Sequence, residues 1–296
     1  MNPNAIEPSQ PDSFFERLLT VKFWFLALGS ALIAIHLTCL WKLDLGEALS
    51  ASAVLWAAVC TLLWKRRDQL IFESGPFSII IGIIFIALAL IKSQALASVD
   101  PFIRIFPLIA TLGLVLMTSG IKALKQYWQE LLILGSLVIH HGYLSQLYDI
   151  SKIQAACASE LLWLLGYDVS RQGVNIVFPT GSVEVNPGCS GYSSILQLVQ
   201  LSIIFLIIFS TQKRFKPFVP VAAVVIGFSV NIIRVAIMAV LSLNDPIAFK
   251  YWHDGDGSLI FSMIAVSLFA LLCYFLIQPD AMIQTPEIQP CEDHEP

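Results

Sequence analysis

Val185-Asn186-Pro187-Gly188-Cys189-Ser190-Gly191-Tyr192-Ser193-Ser194 is where a polar loop becomes a long apolar segment. A Pro-Gly turn hands the chain to a helix, and the Cys189 thiol is expected in that helix's first turn. The positive end of a helix dipole favours thiolate over thiol. Thiolate is the nucleophilic form, so the run predicts covalent chemistry at a membrane surface.

The apolar segment is one of several. The 296 residues are 57% hydrophobic and 13% charged, with a mean hydropathy of +0.77. A soluble domain of this size cannot hide that much apolar surface, so the chain reads as a polytopic membrane protein. Segments near 22–41, 48–64, 77–95, 102–120, 128–147, 191–210, 217–241 and 257–277 approach the ~20 residues that a crossing needs. The expected fold class is an all-α integral membrane protein, a bundle of about eight transmembrane helices with a small extracytoplasmic β-hairpin and an interfacial helix. The net charge of −4 and the lack of a basic stripe argue against nucleic acid. Cys39, Cys60, Cys157, Cys189, Cys273 and Cys291 form no CxxC or metal-like spacing, so neither a disulfide framework nor a zinc site is expected. Cys39, Cys60 and Cys273 read as small core residues, and Cys157 as inert. No cofactor is implied. The polar, acidic N-terminus up to Glu16 does not indicate a cleaved signal peptide.

Basic residues set the orientation. Arg17, Lys22, Lys65, Arg66, Arg67, Lys122, Lys125, Lys213, Arg214 and Lys216 fall on one side. Lys42, Lys92, Arg104, Lys152, Arg171 and Lys250 fall on the other, and Arg234 stays inside a span. This bias predicts cytoplasmic termini, with the loop before Cys189 facing outward. That loop, from about Tyr148 to Gly188, is the only long stretch off the membrane. Ile153 to Leu165 reads as an interfacial helix ended by Gly166. Val174–Phe178, the turn Pro179-Thr180-Gly181-Ser182, and Val183–Val185 read as a β-hairpin leading to Cys189. The segmentation is 1–20 cytoplasmic tail, 21–124 N-terminal helices, 125–278 catalytic membrane region, and 279–296 disordered acidic tail.

Arg234 lies in the outer half of the seventh expected span, about 10 Å below its end at 1.5 Å per residue. An intramembrane arginine points to function. Asn231, three residues earlier, shares its face. His253 precedes the last expected span on the same side, where the Gly255-Asp256-Gly257 turn can hold its ring. Imidazole is the side chain suited to acid/base work near neutrality. Thiol, imidazole and guanidinium on three consecutive spans make an acyl-transfer set: nucleophile, proton carrier and oxyanion or substrate partner. Other readings stand beside it. His140 and His141 can supply the base, or bind a metal with Asp149 or Glu184, although adjacent helical histidines point about 100° apart. Glu184 can orient His253 or pair with Arg234. A transporter or channel with Arg234 as its anion-binding residue is the rival class, but spans one to four offer almost no polar path.

On these residues the chain resembles the exosortase/archaeosortase family, most closely its cyanobacterial branch. The likeness rests on Cys189-Ser190-Gly191 opening a span, Asn231-x-x-Arg234 in the next, and His253 before the last. It also rests on the preceding stretch, from Ala155-Ala156 to Leu162, Gly166 and the hairpin to Val185. It covers roughly 125–275. One departure is Tyr192, where the family pattern suggests Leu or another aliphatic residue. The resemblance implies a multi-pass cysteine protease/transpeptidase of the bacterial inner membrane, with its site facing the exterior. Its substrates would be exported proteins with a PEP-CTERM tail: a Pro-Glu-Pro-like motif, a membrane helix and a basic end. Cys189 would form the thioacyl intermediate, His253 would carry the proton, and Arg234 would be the electrostatic partner. Ser190, Gly191, Asn231, Asn186 and Glu184 would support the site or bind substrate. Transfer to a lipid or polysaccharide acceptor would follow.

Overall fold

A computed structural model describes residues 20–95, 101–209, 211–253 and 257–277. Most of the expected N-terminal tail with Arg17, the acidic tail with Cys291, Asp254, and Gly255 and Asp256 of the expected turn lie outside these. Among the described residues, six helices are long and apolar enough to cross a membrane: Val21–Lys42, Gly46–Lys65, Pro76–Ser93, Pro187–Ile208, Phe218–Asn244 and Gly257–Leu276. The chain divides into two compact units, up to Val138 and from Ile139.

The first unit holds α1 (Val21–Lys42), α2 (Gly46–Lys65), α3 (Pro76–Ser93), α4 (Phe102–Thr118) and, after a 3-10 segment Ile121–Tyr127, α5 (Trp128–Gly135). The fourth expected span forms α4, which is apolar but shorter than the other six. Helices α3 and α4 meet at two glycines. A Cβ on Gly82 would lie 2.6 Å from the Gly113 carbonyl oxygen, so only glycine permits this approach. Arg66 forms an ion pair with the buried Glu130, and its Nη1 donates to the Gln126 carbonyl at 3.0 Å. The Gln126 amide in turn bonds both backbone groups of Ile71.

A second contact in this unit follows from one proline. Pro107 lies inside α4 and has no N–H to give the carbonyl of Ile103, four residues earlier. His36 Nε2 donates to that carbonyl at 3.0 Å. Trp56 Nε1 donates to His36 Nδ1 at 3.1 Å. These bonds put the imidazole proton on Nε2 and the lone pair on Nδ1. The ring also stacks on Phe106, centroids 5.5 Å apart and planes 8° apart. A single side chain, 1% exposed, thus ties α1, α2 and α4 together.

The second unit starts where the fifth expected span fails to form one helix. Residues 128–147 break into α5, a 3-10 turn Ser136–Val138 and α6 (His141–Leu147). Glycine and serine at 135–136 favour helix poorly. His140 is extended, and its Nδ1 accepts the Gly142 amide at 3.1 Å, which starts a new helix. Next comes α7 (Ser151–Leu164), with Asp149 Oδ1 accepting the Ser151 amide at 2.9 Å. The sheet has three strands, not two: β1 (Ser170–Gln172), β2 (Asn175–Phe178) and β3 (Gly181–Glu184), antiparallel in that order. After a 3-10 turn Pro187–Cys189 come α8 (Tyr192–Ile208), α9 (Phe218–Asn244), α10 (Pro246–His253) and α11 (Gly257–Leu276).

Two seams fix this unit. Phe261, Ala265, Phe269 and Cys273 recur every fourth residue along α11 and pack with Leu198 and Phe205 of α8 and Val219, Ala223, Val230 and Met238 of α9. On the other side of α9, Val235, Ala236 and Ala239 pack against Ala155, Ala158 and Leu162 of α7, Ile176 of β2 and Val185. The helix expected at 153–165 therefore has one face buried against α9, while Trp163 and Leu164 remain exposed.

Replacing His36 with leucine orphans the Trp56 N–H and the Ile103 carbonyl, at about 1–3 kcal/mol for each. His36→Leu should lower the unfolding temperature of the detergent-solubilised protein. Adding Pro107→Ala should recover part of the loss, because alanine restores the helical amide. An unchanged melting curve for His36→Leu would remove this lock from the account.

Candidate active site

The residues that build the site come from the turn ahead of α8, the body of α9 and the last residue of α10. Asn186 is extended, and its Oδ1 accepts the Cys189 amide at 3.0 Å. That cap closes the 3-10 turn Pro187–Cys189. Ser190 is buried and returns its hydroxyl to the Pro187 carbonyl at 2.7 Å. Gly191 then takes a left-handed conformation, φ +87°, and α8 starts at Tyr192. Cys189 therefore lies in a separate turn just ahead of α8 rather than in its first turn. A short hydrogen bond from the Tyr192 hydroxyl to the Tyr148 carbonyl ties the helix start to the preceding loop. The departure at Tyr192 thus adds a bond that an aliphatic residue cannot make.

Asn231 and Arg234 are one turn apart on α9. Asn231 is 2% exposed, and its Nδ2 donates to the Cys189 carbonyl at 2.9 Å. A Cβ on Gly191 would lie 2.7 Å from the Asn231 amide, so glycine here serves both φ and the close approach. The nucleophile turn is held at its amide by Asn186 and at its carbonyl by Asn231. Helix α9 runs to Asn244, further than the expected span, so Arg234 is ~15 Å from its end at 1.5 Å per residue.

His253 is the last residue of α10, a helix that a reading of 241–257 as loop misses. Its signal was present: Asp245 before Pro246 is a cap residue followed by proline at the first helical position. Asp245 Oδ1 accepts the Ile247 and Ala248 amides at 3.1 and 3.0 Å. Phe249, one turn before His253, stacks on its ring with centroids 5.0 Å apart and planes 21° apart. The His253 Nε2 lies 3.5 Å from Cys189 Sγ. Arg234 Nη2 reaches the His253 carbonyl at 3.5 Å. Thiol, imidazole and guanidinium thus converge where the turn ahead of α8 and the end of α10 meet the body of α9.

The remaining candidates are elsewhere. Glu184 ends β3, is exposed, and makes no ion pair with Arg234 among the described residues. His140 caps α6 and meets Tyr143 edge-on. Asp149 caps α7, and no group of three metal-ligating side chains converges among the described residues. Phe249 and Tyr148 are the contacts that motif reading passed over.

Six membrane-length helices with a small sheet define a multi-pass membrane protein, and the thiol–imidazole pair marks its candidate site. The chain belongs to the transmembrane exosortase family, which it matches over residues 41–270. The match takes in most of the N-terminal helices as well as the site. No curated protein and no solved structure matches the chain.

Gly191 and Gly166 offer a controlled comparison. Both have positive φ, but nothing lies within 4 Å of a Cβ on Gly166. Gly166→Ala should carry only left-handed strain, roughly 1–2 kcal/mol. Gly191→Ala carries the same strain plus the Asn231 collision, so its unfolding temperature should be the lower of the two. Equal melting points would mean that the Asn231 contact does not constrain the turn.

Proposed function

We propose that this protein is a membrane-embedded cysteine protease/transpeptidase that cleaves the C-terminal sorting signal of exported proteins. The reading is carried by the 3.5 Å approach of Cys189 Sγ to His253 Nε2, with Arg234 bonded to the same histidine's backbone. Family membership supports it.

In the proposed reaction the Cys189 thiolate attacks the scissile carbonyl carbon, giving a tetrahedral oxyanion. The Cys189 amide is already bonded to Asn186, so the Arg234 guanidinium, with N–H groups beyond the one on His253, is the assigned oxyanion donor. Collapse breaks the C–N bond. Protonated His253 gives its proton to the leaving amine, and a thioester remains on Cys189. An acceptor amine or hydroxyl then attacks the thioester carbonyl and loses its proton to His253. The thiolate departs, and the cycle closes. Asn231 and Asn186 hold the turn that carries the sulfur, and Ser190 and Gly191 shape it.

The proposed substrate carries a Pro-Glu-Pro-like motif, a membrane helix and a basic tail. Its helix anchors beside the protein's own, which raises local concentration at the site. The proposed location is the bacterial inner membrane, with the site on the exterior face and a lipid or polysaccharide as the final acceptor.

Co-expression with a reporter protein bearing such a tail, followed by mass spectrometry of its new C-terminus, tests the assignment. Cys189→Ala and His253→Ala should leave the tail intact while the variants still insert. Arg234→Lys should lose about 100-fold in rate, because an ammonium lacks the planar fork. Full cleavage by Cys189→Ala would reject the nucleophile.

A further inference from the structure

Strand β3 leads directly into the Cys189 turn, and one of its edges is open. The register sets Glu184 opposite Asn175, Val183 opposite Ile176 and Gly181 opposite Phe178. One residue further, the Val185 amide donates to the Val174 carbonyl at 3.0 Å. Hydrogen-bonded pairs alternate in an antiparallel ladder. Val183 and Gly181 therefore exchange bonds with β2, while the N–H and C=O groups of Ser182 and Glu184 point away from it. Both residues are exposed, and among the described residues nothing bonds those outward groups. At the opposite edge the same alternation turns only Arg171 of β1 outward, with two strands between it and the nucleophile turn.

The strand is held in place from below. A Cβ on Gly181 would meet Leu243 Cδ2 at 3.0 Å. Val185, 2% exposed, packs with Val235, Ala236 and Ala239. The stretch from Gly181 to Val185 thus runs along α9 from its C-terminal end back towards the level of Arg234. It is a rigid, directed edge that points at Cys189.

We propose that this outer edge of β3 receives the extended substrate segment just before the cleaved bond, added as a strand parallel to β3. The proposal rests on the substrate class inferred above and specifies how that substrate is gripped. A polypeptide ending in a membrane helix runs from water into the bilayer, and β3 runs the same way, so the added strand is parallel. Its backbone groups pair with those of Ser182 and Glu184, two residues apart, which is the repeat of a strand. Main-chain pairing reads little side-chain identity. It suits a site that must accept many proteins sharing only a tail.

The test uses the full-length protein as Cys189→Ala with Ser182→Cys, and the tailed reporter with single cysteines scanned through the segment before its Pro-Glu-Pro motif. Copper-phenanthroline oxidation should cross-link every second position, about tenfold more than the positions between. Uniform or absent cross-linking, while the wild-type protein cleaves the same reporter, overturns the edge proposal and leaves the proposed function standing. An intact reporter with the wild-type protein overturns both. As an independent readout, Ser182→Pro removes an outward N–H without touching the β2 ladder. Relative to Ser182→Ala it should raise KM about tenfold, the worth of about one hydrogen bond. An equal KM for the two variants also overturns the proposal.

Discussion

Hydrocarbon offers a polar group no partner, so a backbone donor or acceptor at membrane depth is stabilised by one within the protein. That constraint organises both units. In the first, a proline strips one carbonyl of its helical bond, and a histidine from a neighbouring helix replaces it. In the second, an asparagine from one helix holds the carbonyl of a turn that precedes another. In each case a polar side chain bridges segments that apolar contacts alone would let slide, because helices in lipid gain little from burying leucine against leucine.

The site inherits its geometry from the same rule. Cys189 is not in regular helix, and its backbone groups would be orphans without Asn186 and Asn231. Those bonds hold the turn that presents the sulfur to His253. Arg234 likewise sits deep along α9, yet it meets the carbonyl at the end of α10, where a helix leaves its last acceptors unsatisfied. A guanidinium near such a carbonyl end is electrostatically favoured. The polar residues that look costly in a hydropathy plot are those that hold the helix ends together.

Much of this was legible from residue order. The grouping of Cys189, Arg234 and His253 followed from three consecutive spans and their direction, and the strands before Cys189 followed from alternation and turn residues. The number of spans was less readable. Hydropathy cannot register that His140 caps a new helix, so residues 128–147 looked continuous. The short helix α10 was hidden by length, since eight residues make no periodic stripe, although Asp245-Pro246 marked its start. The third strand, Ser170–Gln172, has an exposed, polar sequence that no alternation betrays. Phe249 beside His253 became visible only once α10 was known to be helical, because four residues then bring the rings together.

The stacking of His253 on Phe249 has a consequence for the order of events. The stack favours one ring orientation, so on the proposed chemistry the nitrogen 3.5 Å from the sulfur would handle both proton transfers. On the proposed chemistry the departing amine and the arriving acceptor would then need the same small volume. They cannot share it at once, and the proposed reaction would then follow a ping-pong sequence in which the severed tail vacates before the second substrate enters.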